Sequence, residues 1–307
     1  MMPATKFTCY NGDNILIQQC LRNCAHCNRC MALNTLEILA ASVKDRGLDK
    51  PSVTELLCGT REVFLKHTTE YAVDPNSLVF AMHGSGVHAL AEQNADDKLI
   101  TELRLDSDTL GITGQIDACG NNLVTRGKYS LVDMKVTSSY KAMLALGYYK
   151  EEVATRDVFK TGAKKGQPKT KKVLRTNGRR DLLDWAIQVN IYRMLMQEAG
   201  YKVDDMYIQM LIRDYSLKVA AERGITKPVY LVKINSISDH WLQLWIAEKK
   251  RRLESALAKG TMPAKCSHRE TWGGRKCSDY CAVKDACAQY EQAVNNNNDA
   301  AADKEAA

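Results

Sequence analysis

An acid and a base two residues apart, Asp133 and Lys135 in Leu131-Val132-Asp133-Met134-Lys135-Val136, have types and spacing that suggest chemistry. Read as a strand, the period of two puts both on one face, while Val132, Met134 and Val136 point together into a core. A second aspartate, Asp117 in Gly114-Gln115-Ile116-Asp117, ends the strand-like run from Leu110 to Ala118. The turn-forming Gly120-Asn121-Asn122 then reverses the chain, so that later strands bring Asp133 alongside it. Two carboxylates in one small space repel each other unless a cation neutralises them, and carboxylate oxygens are what Mg2+ or Mn2+ prefer. The simpler alternative is an ordinary ion pair on a surface strand.

Cysteine supplies the other chemistry. The eleven cysteines fall mainly into two clusters, Cys9 to Cys30 and Cys266 to Cys287, with Cys58 and Cys119 between them. In a reducing compartment this pattern favours metal over disulfides. The first cluster reads Cys20-x3-Cys24-x2-Cys27-x2-Cys30, preceded by Cys9 in a hairpin-like Cys9-Tyr10-Asn11-Gly12-Asp13. Zinc is the first expectation here and a second iron-sulfur cluster the alternative, because five cysteines leave the ligand set open. The last cluster carries Cys266 and then Cys277-x3-Cys281-x5-Cys287.

Around these residues the chain divides into elements. Met31 to Val43 has helical periodicity, and Asp45 to Pro51 breaks it, which places a boundary after a Cys-rich module of residues 1–45. Ser52 is an N-cap with Glu55 at capping-box spacing for a helix through Leu56, Leu57, Phe64 and Leu65. A helix from Ser77 to Gln93 is interrupted at His83 to His88, where Gly84 and Gly86 would let another backbone approach. A lone histidine such as His88 is more often structural than a ligand. Strands follow at Leu99–Leu105, Leu110–Ala118, Asn122–Thr125 and Tyr129–Val136, and Ser138 to Arg156 is expected to be helical in part.

Asp157 to Arg180 then reads as a mobile basic loop with Lys160, Lys164, Lys165, Lys169, Lys171, Lys172, Arg175, Arg179 and Arg180. Its place after the Asp133 strand favours phosphate contact over merely solvated charge. Asp181 to Ala199 is an amphipathic helix stopped by Gly200, with Gln188 and Tyr192 four apart on one face. The strands Asp205 to Arg213 and Val229 to Ile234 extend the sheet. A helix from Ser238 to Lys259 follows, whose Trp241 and Trp245 are expected to pack in a core. An α/β fold results, a mixed central sheet flanked by helices plus the small cysteine module. Residues 46–293 form the main domain, with 157–180 as an insertion and 294–307 as a disordered tail.

The 307 residues carry a net charge of +7, which suits a polyanionic partner without establishing one. No apolar run approaches the ~20 residues of a membrane helix. Met1 to Lys6 lacks a signal-peptide h-region. The expectation is a cytoplasmic protein of a bacterial or phage-infected cell. A Gly-x4-Gly-Lys-Ser/Thr phosphate loop is absent, so a motor would come from another chain.

The order of elements resembles the RecB-like branch of the PD-(D/E)XK nuclease superfamily, including its iron-sulfur exonucleases associated with CRISPR adaptation and with AddB-type repair helicase-nucleases. Over Ser52 to Tyr290, Gly84-x3-His88 looks like the histidine motif and Gly114-x2-Asp117 like the first aspartate motif. Asp133-Met134-Lys135 looks like the (D/E)-x-K motif and Gln188-x3-Tyr192 like the motif of the following helix, while Glu102 stands where the family often has an acid. The Cys277-x3-Cys281 spacing departs from the two intervening residues common in that family, and both the Cys9 to Cys30 module and the basic insertion lie outside the shared pattern.

The resemblance implies a restriction-endonuclease-like core and metal-dependent hydrolysis of DNA. His88, Asp117, Asp133 and the Met134 carbonyl would hold Mg2+ or Mn2+, Lys135 would position or help deprotonate water, and Gln188 and Tyr192 would line the site. It further implies an exonuclease on single-stranded or end-containing DNA, in phage or mobile-element recombination and repair, with a helicase or recombinase as partner. A [4Fe-4S] cluster on Cys58, Cys277, Cys281 and Cys287 is implied as well; local spacing offers Cys266 as the alternative ligand and zinc as the alternative metal. Two other classes stay open, a DNA-binding or assembly subunit that kept the fold and a redox protein using its cysteines.

Overall fold

Alternating apolar residues build the central sheet as the sequence predicts. In the computed structural model, which describes residues 4–43, 49–96 and 98–292, strands β4 (Leu99–Ser107), β5 (Ile112–Asn121), β6 (Tyr129–Thr137), β9 (Asp205–Ile212) and β10 (Val229–Ile234) form one sheet in the order β10-β9-β6-β5-β4. The sheet is mixed. β6 runs antiparallel to β5 and parallel to β9, pairing Asp133 with Ile208 and Lys135 with Met210, while β10 is antiparallel to β9. Three short strands, β1 (Lys6–Thr8), β2 (Asn14–Leu16) and β3 (Ala72–Val73), make a second sheet, and β7 (Tyr148–Val158) and β8 (Pro168–Thr176) a third. The helices are α1 (Ile17–Arg22), α2 (Leu33–Ser42), α3 (Val53–Leu56), α4 (Thr60–Thr68), α5 (Pro75–Gln93), α6 (Ser139–Ala145), α7 (Leu183–Glu198), α8 (Lys218–Ala221), α9 (Asp239–Lys259) and α10 (Arg275–Asp279). None is long and apolar enough to cross a membrane among the described residues.

The chain forms two compact units, one of residues 1–86, 106–114 and 238–307 and one of residues 87–105 and 115–237. In the first, the cysteine-rich N-terminus is not set apart at residue 45 as expected. β1 pairs in parallel with β3, joining Phe7 to Val73, and Ala4, Phe7, Leu36, Leu39 and Val73 share one apolar cluster. This pairing spans more than sixty residues, which local sequence patterns do not reveal. The breaking segment itself falls partly on residues 44–48 and the tail on 293–307, both outside the described residues.

The capping box forms: the Ser52 N–H donates to Glu55 Oε2 at 2.8 Å and the Glu55 N–H donates to Ser52 Oγ at 3.3 Å. The single helix expected there is broken into α3 and α4 at Leu57-Cys58-Gly59, with Gly59 as the N-cap of α4. A side chain at Gly59 would overlap Cys266 Sγ, so the glycine permits the C-terminal segment to close on this break. Helix α9 ends at Gly260 in the left-handed region, φ 61°, as the sequence indicates. Trp241 is 43% exposed rather than packed in a core, while Lys249 lies over the Trp245 ring at 5.7 Å.

In the second unit α7 packs on β6 and β9, and Ile187 to Met196 are buried on every side. It is a core helix, not the amphipathic one expected. Its stop is a Schellman motif, in which the Tyr201 N–H donates to Met196 O at 2.9 Å and the Gly200 N–H to Gln197 O at 3.0 Å. On the opposite sheet face Val132, Met134 and Tyr207 pack together with Ala91. β5 runs on to Asn121, and residues 122–125 form a turn instead of a strand, with Asn122 at φ 60°.

Within the basic stretch Pro168–Thr176 is a strand rather than a loop, and only 139–145 of the preceding segment is helical. β7 and β8 form an antiparallel hairpin that pairs Glu152 with Lys172 and Tyr149 with Arg175. Acids on β7 answer bases on β8, with Arg175 Nε 3.1 Å from Glu151 and Lys172 Nζ 3.6 Å from Glu152. Helix α5 likewise runs unbroken through Gly84 and Gly86, and space beside both is open, so no backbone approaches there. Gly84→Ala and Gly86→Ala should therefore each stabilise the protein by about 0.5–1 kcal/mol, seen as a raised thermal midpoint. A lowered midpoint would mean that the helix needs its glycines.

Candidate active site

The two periodicities converge on one buried polar cluster in the second unit. Asp133 on β6 is 1% exposed, and its neighbour on that face, Lys135, places Nζ 3.0 Å from Asp133 Oδ1 and 2.8 Å from Oδ2. Oδ2 is nevertheless in ion-pair contact without hydrogen-bonding geometry, so this buried atom has no hydrogen-bond partner. Lys135 also donates to Gln188 Oε1 at 3.0 Å, and Gln188 Nε2 lies 2.9 Å from Tyr192 Oη one helical turn away. Burial first, and then the charge of Asp133, push the Tyr192 phenol well above its ordinary range, so it stays protonated.

Asp117 connects this row to a second group of donors. The β5–β6 ladder reaches Ala118 opposite Val132; beyond it, the Asp117 carboxylate accepts the Met134 N–H at 2.6 Å. Met134 thus enters the site through its amide. His88, Glu102 and Asp117 each offer one ligand atom within 4.8 Å of the others. His88 Nδ1 is 2.8 Å from Glu102 Oε1 and 3.5 Å from Asp117 Oδ1. Burial raises the Asp117 carboxyl to about 7, and the nearby charge of Asp133 adds to this, against the lowering influence of His88 and Lys135. A divalent cation would remove that penalty, and an acid-rich pocket with a buried, unsatisfied Asp133 oxygen has the donor chemistry for one.

Two features were not legible beforehand. Glu102 sits in the left-handed region, φ 50°, inside a strand, a conformation that costs roughly 1–3 kcal/mol and gathers at functional sites. Gln115 donates to Glu102 Oε2, fixing the carboxylate from the other side. Its signal was the period of two, which puts Gln115 and Asp117 on one face of β5.

The C-terminal cysteines gather in the first unit. Cys58, Cys281 and Cys287 pack against one apolar cluster with Val63, Phe64 and Val283, and Cys266 lies against Gly59, the residue after Cys58. Burial raises the thiols of Cys58, Cys266 and Cys281; Cys277 is close enough to Cys266 to raise it further. Lys276 Nζ lies 3.9 Å from Cys58 Sγ and Arg61 Nη1 3.7 Å from Cys287 Sγ, so two cations face this group. At the N-terminus Cys9, Cys20, Cys24 and Cys30 line one cavity, while Cys27 is exposed at φ 64° and does not. Of the basic residues expected to meet phosphate, Lys160 to Arg175 stand on the hairpin and Arg179 and Arg180 follow it; among the described residues Lys160, Lys164, Lys165, Lys169 and Lys171 are in no ion pair.

No family model and no curated protein matches the chain. Among solved structures, that of SSO0001 is similar over 81% of this chain and 91% of its own, at 13% identity and a TM-score of 0.41.

Proposed function

We propose that this chain is a Mg2+- or Mn2+-dependent deoxyribonuclease, an exonuclease of the PD-(D/E)XK type acting on single-stranded or end-containing DNA. The supporting observation is the group of half-buried His88 and Glu102 with Asp117, beside the buried Asp133, and Lys135 held between Asp133 and Gln188. His88, Glu102, Asp117, Asp133 and the Met134 carbonyl would hold the cation. When bound, it supplies Lewis-acid polarisation of a phosphate oxygen and acidifies water in the site. Lys135, fixed on both sides, orients that water by hydrogen bonding and offsets negative charge on the phosphoryl oxygens. Gln188 sets the Lys135 ammonium, and Tyr192, kept protonated, remains a hydrogen-bond donor.

In this reading Cys277, Cys281 and Cys287, with Cys58 or Cys266, hold an iron-sulfur cluster or zinc that stabilises the first unit. A cytoplasmic compartment, where thiols stay reduced, belongs to it as well. A helicase or recombinase would present the DNA end.

The direct test incubates the protein with end-labelled single-stranded DNA and with covalently closed circular DNA, with Mn2+ or with EDTA. Mn2+-dependent release of label from the linear substrate alone is expected; no cleavage of either would overturn the reading. The hairpin is expected to carry sequence-independent phosphate contacts. Changing Lys160, Lys164, Lys165 and Lys169 to Ala should flatten the dependence of log affinity on log salt by about 0.7 per lost contact. An unchanged slope would leave these lysines as solvated charge.

A further inference from the structure

The N-terminal cysteines are outside the nuclease reading, and their arrangement has a counterpart within the chain. We propose that Cys9, Cys20, Cys24 and Cys30 form a second four-thiolate metal centre, built on the same ligand spacing as Cys266, Cys277, Cys281 and Cys287. Two independent observations meet here. The first is geometric: four of the five N-terminal cysteines line one cavity, and Cys27 is the one left out. The second is the spacing of those same four, Cys9-x10-Cys20-x3-Cys24-x5-Cys30, which recurs as Cys266-x10-Cys277-x3-Cys281-x5-Cys287. The match appears only when Cys27 is omitted, which the cavity does without reference to sequence.

The intervening residues are otherwise almost wholly different, Ala25 and Ala282 being the one identity. Tyr10-Asn11-Gly12-Asp13 follows the first cysteine of one set and Ser267-His268-Arg269-Glu270 that of the other. What the two segments share is ligand spacing, the property a metal centre requires. It also singles out Cys266, the counterpart of Cys9, over Cys58 as the fourth thiolate at the C-terminus.

Local structure explains how the N-terminal four come to line one cavity. A turn between β1 and β2 presents Cys9, its N–H donating to Asp13 O at 2.8 Å while its carbonyl accepts from Gly12 at 2.9 Å. Cys20 is the buried residue of α1, and Cys24 follows the extended residue Asn23 that ends the helix. Arg29 donates to the end carbonyls of that helix, at 2.5 Å to Cys20 and 3.0 Å to Leu21, which folds the loop back and returns Cys30 to the cavity. His26 lines the same cavity with a buried Nε2 that has no hydrogen-bond partner, so the cavity wall contains an unsatisfied polar atom as well as four thiols. Burial first, and then the neighbouring thiols, raise the thiols of Cys9 and Cys20, a repulsion that a bound cation reverses. Four thiolates select a thiophilic centre, zinc or iron-sulfur, over hard cations.

The test is metal content of the full-length protein purified anaerobically, with zinc, iron and acid-labile sulfide counted per chain, followed by Co2+ titration of the stripped protein. Cys27 and Cys30 are both exposed, so neither change disturbs packing. Cys30→Ser should halve the metal per chain and halve the cobalt–thiolate absorbance, and Cys27→Ser should change neither. Cys266→Ser should also halve both, and Cys58→Ser should leave them intact. Zinc without sulfide identifies single ions, and iron with equal sulfide identifies clusters; the ligand set stands in either case. Equal metal in Cys30→Ser and wild type, or equal loss in Cys27→Ser and Cys30→Ser, would overturn the N-terminal site. Retention in Cys266→Ser with loss in Cys58→Ser would overturn the matched C-terminal set. None of these readouts depends on nuclease activity.

Discussion

Asp133→Asn should lower Mn2+-dependent DNA cleavage by about 10³-fold while DNA affinity changes less than about threefold. Asp133 is 1% exposed and nearly isosteric with asparagine, so its ladder pairing with Ile208 is retained. What is lost is a buried negative charge facing Asp117 and the ion pair to Lys135. Lys135→Ala removes the other half, but leaves Asp133 buried without its counter-ion, a change that costs about 3–5 kcal/mol in typical cases. Inactivity of that variant alone would be ambiguous. The double change Asp133→Asn with Lys135→Met restores neutrality, so it should unfold near the wild-type temperature and still be inactive. Cleavage within tenfold of wild type by either the single Asp133→Asn or the double variant would remove these residues from the chemistry.

The sequence carried this site because its grammar is local. Asp133 and Lys135 share a face through strand periodicity, Gln188 and Tyr192 through helical spacing, and the Ser52–Glu55 capping box lies within four residues; all three are realised. The readings that changed depend on partners far along the chain. β8 looks like a loop because it is rich in lysine, and becomes a strand only when Glu151 and Glu152 stand opposite it. Helix α7 reads as amphipathic because Gln188, Asn190 and Arg193 are polar, yet all three are buried: Gln188 bonds to Lys135, and Asn190 Oδ1 accepts the Ile237 N–H at 2.8 Å. The glycines of α5 suggest a break that the helix does not make. Cys9 to Cys30 reads as a separate module because nothing local announces that Phe7 pairs beside Val73.

Asp117→Asn should make the metal-free protein more stable above pH 7, and less responsive to Mn2+. In the folded protein the Asp117 carboxyl is raised from 3.8 to about 7, first by burial and then by Asp133. Between those values the native state keeps a proton that the unfolded chain has released. Stability therefore falls as pH rises through this window, and the full penalty is present above it, on the order of 4 kcal/mol. Glu62 has the opposite sign: Lys66 and Lys276 outweigh its burial and hold its carboxyl below the usual range, so its contribution is lost as pH falls. The informative quantity is consequently the difference between variant and wild type, which cancels Glu62. Asparagine keeps an acceptor for the Met134 N–H and removes the charge. In EDTA the thermal midpoints should be closest near pH 4 and should diverge toward pH 8, the variant higher. Saturating Mn2+ should narrow the gap, since a ligand at 100 times its Kd stabilises wild type by about 2.7 kcal/mol and the variant has lost a ligand. If the EDTA difference stays constant from pH 5 to 8, Asp117 is not the strained acid of this site. If Mn2+ raises both midpoints equally, the cation binds elsewhere.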